Sequence, residues 1–178
     1  MKKTLSFLLL AVAICAAATS APRVSRNVLK AVEASLNDRV KNLWEDNPFT
    51  LIGPTRGLYL DGYGAVFTVD VSPVLSSTSM MHPTVTKEEV VQAHKVRLER
   101  IGQLKQAMRL AVADAAASLD PVPADEQVTL IVYLAYHQWE DISGMPGELK
   151  FQGKKRALLD AKRAGGTALV QAVQISEN

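Results

Sequence analysis

Residues 57–71 read GLYLDGYGAVFTVDV, and this stretch decides the fold class. Large apolar residues alternate with small or polar ones on both sides of Asp61-Gly62, and a period of two is typical of β-strands. Asp-Gly is a favoured pair for a two-residue type I′ turn, because both central residues need positive φ. We therefore predict a β-hairpin over about residues 50–71. A single long strand, kinked or bulged at the glycines, is the alternative.

A two-residue turn also fixes which residues face each other across the hairpin. Leu60 would face Tyr63, and Tyr59 would face Gly64. The second pair would lay an aromatic ring over a bare glycine, a favourable cross-strand arrangement.

A long helix is predicted after the hairpin, over about residues 87–119. It begins with a capping box in which the Thr86 side chain bonds the backbone of Glu89 and the Glu89 side chain reaches back. The expected apolar stripe consists of Val91, His94, Leu98, Ile101, Leu104, Met108, Val112, Ala115 and Leu119. Gly102 in the middle indicates a bend or close packing, and Asp120 precedes the proline that ends the helix.

The other elements follow from the same periodicities. We predict a helix over residues 25–44, a strand over 128–137, a short strand over 149–152, a helix over 154–164 and a closing strand over 168–175. The strand at 128–137 is apolar on both faces and so belongs at the centre of a covered sheet. Together these elements indicate one α+β domain over residues 22–178: a four- to five-stranded mixed sheet with the hairpin, the long helix and two shorter helices packed on it.

Residues 1–21 have the three parts of a secretory signal. Lys2 and Lys3 are followed by a short apolar run and then by small residues that suit cleavage at about residues 18–21. The apolar run is shorter than the roughly 20 residues that span a bilayer. The sequence therefore predicts export, to a periplasm or out of the cell, and no later stretch reaches transmembrane length.

Cleavage would change the charge and the chemistry of the chain. It removes two of the 20 basic residues and the lone Cys15, and leaves 18 acidic residues balanced by 18 basic ones. Thiol chemistry is then excluded from the mature protein. Nucleic acid is not an expected partner, because the chain is exported and no aromatic residues interleave with the lysines.

Catalytic motifs are absent from the sequence, since it contains no G-x-S-x-G, no G-x-G-x-x-G and no phosphate-binding G-x-x-x-x-G-K-[ST]. The candidates for catalysis are His137, which ends the strand at 128–137, and Glu140 and Asp141, which follow it. An imidazole with two carboxylates there could bind a divalent metal or act in hydrolysis. A solvated acidic turn is the alternative. His94, on the long helix, is expected to be a core-edge histidine.

Two other sets of residues have side chains that could carry chemistry. Met80-Met81-His82 has the soft ligands that copper prefers, but the pattern does not recur, and packing in a loop is the expectation. Asp61 and Asp70 would complete a pool of carboxylates for glycoside cleavage, although the sequence does not select a pair among them. We expect no metal and no cofactor.

Charge is unevenly distributed along the second half of the chain. Residues 110–149 contain seven acidic and no basic residues. The following segment, which we call the basic helix, contains Lys150, Lys154, Lys155, Arg156, Lys162 and Arg163. Such a helix could meet an anionic surface component or an envelope protein, or it could pair with the acidic stretch of its own domain.

These observations favour a non-catalytic, exported binding module of a bacterial-type cell envelope, with the basic helix or the hairpin as its contact. A small metal-assisted or carboxylate hydrolase centred on His137, Glu140 and Asp141 is the alternative. A third hypothesis is that the hairpin edge recruits a strand from a partner, because an unpaired edge is a template for pairing.

Overall fold

A computed structural model describes residues 24–47, 50–74 and 84–178 of the chain. In chain order, the elements are α1 (Arg26–Lys41), β1 (Leu51–Leu60), β2 (Gly64–Val71), α2 (Lys87–Ser118), β3 (Gln127–Leu134), β4 (Glu148–Lys154), α3 (Lys155–Ala164), α4 (Thr167–Ala172) and β5 (Gln174–Glu177). The predicted signal segment and Met80-Met81-His82 lie outside the described residues. None of the described helices has the length and apolar character that a membrane span requires.

The five strands form one mixed sheet in the order β1-β2-β3-β4-β5. Strands β2 and β3 are parallel and are connected through α2, while the other neighbours are antiparallel. The predicted α+β fold, with its hairpin, its long helix and its central strand at β3, is confirmed. Because β2 and β3 are parallel, the segments that follow them leave the sheet at the same end of the strands.

The hydrophobic core lies between the helices and one face of the sheet. Alternate residues of the three inner strands are buried there: Ala65, Phe67, Val69 and Val71 in β2, Val128, Leu130, Val132 and Leu134 in β3, and Leu149 and Phe151 in β4. The helices contribute Leu29, Val32, Leu36 and Val40 from α1, Ile101, Leu104, Met108 and Val112 from α2, and Leu158 from α3. All of these side chains belong to one cluster, so the helices cover a single face.

No described helix covers the opposite face, which we call the open face, so the expectation that the strand at 128–137 lies in a covered sheet holds for one face only. Tyr133 of the central strand is 40% exposed, whereas its neighbours Val132 and Leu134 on the core face are buried. Apolar residues on both sides of a strand therefore do not establish that both sides are covered. Here the second side is shielded only in part, by side chains such as Tyr63, whose hydroxyl lies 3.2 Å from Thr129 Oγ1.

The hairpin forms, but its predicted register is wrong by one residue. Leu60 pairs with Gly64, and Tyr59 pairs with Ala65. The turn is closed by a hydrogen bond from Tyr63 N–H to the Leu60 carbonyl oxygen (3.0 Å), and only its third residue, Gly62, has positive φ (+78°). This pattern is that of a type II turn, because a type I′ turn would also need positive φ at the preceding aspartate.

The long helix begins at the predicted capping box, in which Thr86 Oγ1 accepts from Glu89 N–H and the Glu89 carboxylate accepts from Thr86 N–H. Its predicted stripe is correct from Ile101 onward and wrong at Val91 and Leu98. Val91 is 55% exposed and Leu98 is 49% exposed, while Arg97 is fully buried.

The predicted close packing at Gly102 is also wrong. This glycine lies in a continuous helix, and a Cβ added to it would meet no atom within 4 Å. It therefore marks neither a contact nor an end of the helix.

The end of the chain differs from the predicted closing strand at 168–175. Residues 167–172 form α4 instead, so three shorter helices, not two, accompany α2 in the described residues. Leu169 packs on Ala113 and Ala161, which explains why a helix is favoured there. The closing strand is limited to Gln174–Glu177.

Candidate functional site at the carboxyl end of β3

The segment that follows β3 brings the predicted catalytic residues against the long helix. Ala135 N–H donates to the Val71 carbonyl oxygen (2.9 Å), which joins the carboxyl ends of the two parallel strands. The chain then runs beside the first half of α2. We call residues 135–146 the β3 loop.

A buried ion pair fixes the β3 loop to α2. Arg97 Nη2 donates to Glu140 Oε1 (2.6 Å), and Arg97 Nε lies 2.5 Å from Glu140 Oε2. The two side chains are 0% and 2% exposed. Arg97 Nη1 also donates to the Ala135 carbonyl oxygen (3.1 Å), and Glu140 Oε1 accepts from His137 N–H (2.8 Å). The Nη2 contact is a hydrogen bond, and the Nε contact is a close ion pair without hydrogen-bond geometry. Arg97 Nη1 and Glu140 Oε1 make further hydrogen bonds within the fold, which a buried pair requires.

Tyr136 closes the cluster from the other side of Arg97. The guanidinium carbon lies 4.5 Å from the centre of the Tyr136 ring, within cation–π distance. The phenol donates to the Pro146 carbonyl oxygen. Burial raises the pKa of Tyr136; the positive charge of Arg97 opposes this shift and the negative charge of Glu140 adds to it. The phenol is therefore a neutral hydrogen-bond donor at physiological pH.

His94 and Asp141 make a second contact between α2 and the β3 loop. His94 Nδ1 lies 2.9 Å from the Asp141 carbonyl oxygen, so the ring donates through this nitrogen. Hydrogen bonds from Ser143 hold the pKa of the exposed Asp141 carboxyl below its ordinary value. The prediction that His94 lies at the edge of the core agrees with this geometry.

His137 belongs to the same loop but uses its ring differently. The ring stacks on Trp139, with 5.6 Å between centroids and 4° between planes. Residues 137–141 thus share one segment, yet Glu140 is directed into the fold and Asp141 is exposed. Nowhere in the described ranges do three or more His, Cys, Asp or Glu side chains form a group that could hold a metal ion.

The other carboxylates of the predicted pool lie elsewhere. Asp61 is in the hairpin turn, before β2, and therefore at the end of the sheet opposite the β3 loop. Asp70 is exposed on the open face, paired in register with Tyr133. The fold therefore separates Asp61 from Glu140 and Asp141.

Half of the cations of the basic helix are engaged with their own domain, and two of the six, Lys150 and Lys154, lie on β4 and not on α3. Lys162 Nζ lies 2.8 Å from Asp114 Oδ1, and Arg163 forms a 3.3 Å ion pair with Asp160. Lys155 is buried, and its ammonium donates to the carbonyl oxygens of three residues at the end of α2: Leu119, Asp120 and Val122. Lys150, Lys154 and Arg156 remain as cations for an outside partner.

Replacing Lys155 by methionine should lower the free energy of unfolding by about 2 kcal/mol, because buried carbonyl oxygens lose charged donors. Lys154→Met is the matched control, since that neighbour is exposed; its effect should stay within about 0.5 kcal/mol. Chemical denaturation of both variants measures the difference. Equal effects at the two positions would contradict the structural role of Lys155.

The outer edge of β1 is occupied where it passes α1. Thr55 N–H donates to Asn37 Oδ1 and Gly57 N–H donates to Glu33 Oε1, both at 2.7 Å. Arg26 Nη1 donates to the Gly57 carbonyl oxygen (2.8 Å). Side chains of α1 therefore take the place of a neighbouring strand over this stretch, which disfavours recruitment of a partner strand there.

One corner of the open face, at the turn end of the hairpin that was predicted as a possible contact, is apolar. Leu58 is 47% exposed, Leu60 is 49% exposed and Tyr63 is 40% exposed. We call these three residues the hairpin corner. Large apolar side chains exposed side by side are typical of interaction sites.

Comparison with known proteins finds no match, whether among family models, curated proteins or solved structures. Fold and site therefore define a class only: an α+β protein with helices on one face of a five-stranded sheet and an open second face.

Proposed function

We propose that the protein is an exported binding module of a cell envelope that contacts a partner protein through the hairpin corner and has no catalytic role. The observation that carries this proposal is the joint exposure of Leu58, Leu60 and Tyr63. The buried centre of a protein interface is enriched in apolar and aromatic side chains, whereas an anionic surface component would require free cations.

The choice between the two contacts predicted from the sequence rests on charge. Three cations of the basic helix are already used: Lys155 in capping α2, Lys162 with Asp114 and Arg163 with Asp160. In the hairpin corner, the polar contact that the structure describes within the domain is that of the Tyr63 hydroxyl with Thr129 Oγ1 (3.2 Å), and the two leucines carry no charge. This difference favours the hairpin over the basic helix.

The hydrolase alternative is weakened by the position of Glu140. Both oxygens of its carboxylate face Arg97, and one also accepts from His137 N–H. A general base must be free to reach a substrate or a water molecule. His137 and Asp141 alone do not make a constellation that favours hydrolysis.

Export is the part of the proposal that rests on residues 1–21 alone. N-terminal sequencing of the protein from fractionated cells should find a chain that starts between residues 19 and 22. Recovery of the full chain in the cytosolic fraction would contradict export.

Photo-crosslinking in intact cells tests the contact. A photoreactive residue at Leu60 should give one discrete adduct, and the same residue at Val170, which is 54% exposed on α4, should give none. Leu58→Glu should abolish the Leu60 adduct, because the charge disrupts an apolar contact. Val170→Glu should leave it unchanged.

The opposite results would contradict the proposal. Equal labelling from both positions would indicate non-specific proximity, and no labelling from Leu60 would remove the hairpin corner as a contact. A stoichiometric divalent ion in the purified protein that His137→Ala removes would favour the hydrolase instead.

A further inference from the structure

Two rows of side chains cross the open face beyond the hairpin corner. The strand registers place Arg56, Thr68, Ile131 and Lys150 side by side in one row, which we call the basic row. They place Asp70, Tyr133 and Glu148 side by side in the next, which we call the acidic row. Each row has an apolar or aromatic residue from β3 at its centre and charges at its flanks.

These charges form no ion pairs within the described residues, and Glu148 Oε1 accepts one long hydrogen bond, from Asn178 Nδ2 (3.4 Å). In the described part of the chain, neither Arg56 nor Lys150 forms an ion pair with a carboxylate, and neither Asp70 nor Glu148 forms one with a cation. The described cations of the helical side, by contrast, include several that are paired. The two rows therefore present their charges to whatever covers the open face.

The charges of the two rows are complementary to those of a second copy related by a two-fold rotation. In this arrangement the open faces of the two copies face each other, and the two-fold axis lies between them. The axis runs perpendicular to the strands and passes between the two rows. It places the acidic row of each copy on the basic row of the other. Residues on the same strand then meet, so Glu148 lies over the second copy's Lys150 and Tyr133 lies over its Ile131.

The third contact of this arrangement is also favourable. Asp70 lies over the second copy's Thr68, and the second copy's Arg56 is the next residue in that row. Every contact occurs twice, as in an isologous interface, and the two sheets pack face to face with their strands nearly aligned. No like charges are brought together.

The area that the two rows cover determines how strong the self-association is expected to be. Strands lie about 4.8 Å apart and same-face residues about 6.6 Å apart, so two facing pairs of rows cover roughly 500 Å² or less per copy. A stable complex buries about 800 Å² per partner. The self-association should therefore be weak and reversible.

We propose that the charged rows of the open face mediate weak two-fold self-association of this protein. The hairpin corner lies beyond the basic row, on the side away from the axis, and takes no part in the pairing of the two rows. This inference therefore rests on different residues from the proposed partner contact.

Sedimentation velocity of the exported protein between about 10 and 500 µM tests the proposal. The wild type should shift reversibly from monomer towards dimer as its concentration rises. Glu148→Lys and Lys150→Glu should each weaken the dimer at least about tenfold, because each variant brings two pairs of like charges together. Circular dichroism checks that the variants remain folded.

The double variant Glu148→Lys/Lys150→Glu is the decisive one. It should restore association to within about threefold of the wild type, because the exchanged charges again face each other across the two-fold axis. Lys30→Glu is the matched control: it makes the same charge change on exposed α1, on the other side of the sheet, and should have no effect.

Three results would overturn the proposal. The first is a wild-type protein that stays monomeric at the highest concentration. The second is a dimer that the single reversals leave unchanged, which would place the contact on another surface. The third is a double variant as weak as the single ones, because only a self-complementary contact is rescued by exchanging the two charges.

Discussion

Replacing Arg97 by methionine should lower the free energy of unfolding by about 3–5 kcal/mol, the range typical of a buried ion pair broken from one side. The Glu140 side chain is 2% exposed, so the variant leaves a carboxylate buried without its counter-charge. The Ala135 carbonyl oxygen also loses its donor. Urea unfolding followed by circular dichroism measures the change.

Leu98→Ala is the matched comparison for this prediction. Leu98 is the next residue of the same helix and is apolar, but it is 49% exposed. Its truncation should cost about 0.5 kcal/mol or less, as at other surface positions. A larger loss at Leu98 than at Arg97 would mean that the helix presents the opposite side to the core.

A double variant separates the charge effect from a general loss of packing. Arg97→Met/Glu140→Met removes both charges, and it should be less destabilised than Arg97→Met alone. Some cost should remain, because His137 N–H loses its acceptor. Glu140→Met alone completes the cycle: if the double variant loses as much free energy of unfolding as the two single variants together, the two charges are not coupled.

The sequence could not distinguish Arg97 from Leu98 because both fit a helical stripe. Residues 94, 98 and 101 are spaced by four and three, and so are residues 97, 101, 104 and 108. Hydropathy favours the leucine. The fold favours the arginine, because Glu140, 43 residues further along the chain, neutralises it in a buried position. Spacing alone would have included Arg97, but its partner is a long-range property.

Local signals predicted the elements well where one short stretch determines the outcome. The capping box at Thr86 and the stop at Gly165, whose φ is +70°, are of this kind. One short stretch does not determine which side of the sheet the helices cover, because this depends on the paths of several connections between strands and helices. Tyr133 is as apolar in the sequence as a core residue, yet it faces the open side.

The candidate site was predicted in part for the same reason. His137, Glu140 and Asp141 are close in sequence, so their gathering in one loop could be foreseen. The sequence could not predict that the Glu140 side chain points into the fold, because this orientation is determined by the ion pair with Arg97. The capping role of Lys155 was missed as well, since its acceptors end another helix more than 30 residues earlier.

Gly64→Ala should be the most damaging of the conservative glycine substitutions, with a loss of at least about 3 kcal/mol. Gly64 has φ of +129°, and a Cβ added there would lie 1.9 Å from the Gln127 backbone oxygen. The approach is close because β2 and β3 begin side by side here, joined by a hydrogen bond from Gln127 N–H to the Tyr63 carbonyl oxygen (2.7 Å). Backbone cannot yield as a flexible side chain can.

Alanine variants of two other glycines separate the two causes of that loss in stability, which are positive φ and the close approach of neighbouring backbone. Gly62 has φ of +78° but open space around it, so Gly62→Ala should cost only the strain of positive φ, about 1–2 kcal/mol. Gly102 has open space in the middle of α2, so Gly102→Ala should stabilise the protein by about 0.5–1 kcal/mol. Thermal and urea unfolding of the three variants should therefore rank Gly64→Ala below Gly62→Ala, and only Gly102→Ala above the wild type. If Gly64→Ala lost no more free energy of unfolding than Gly62→Ala, β2 and β3 could not approach each other as closely as described. The β2–β3 register, on which the rows of the open face depend, would then be in question as well.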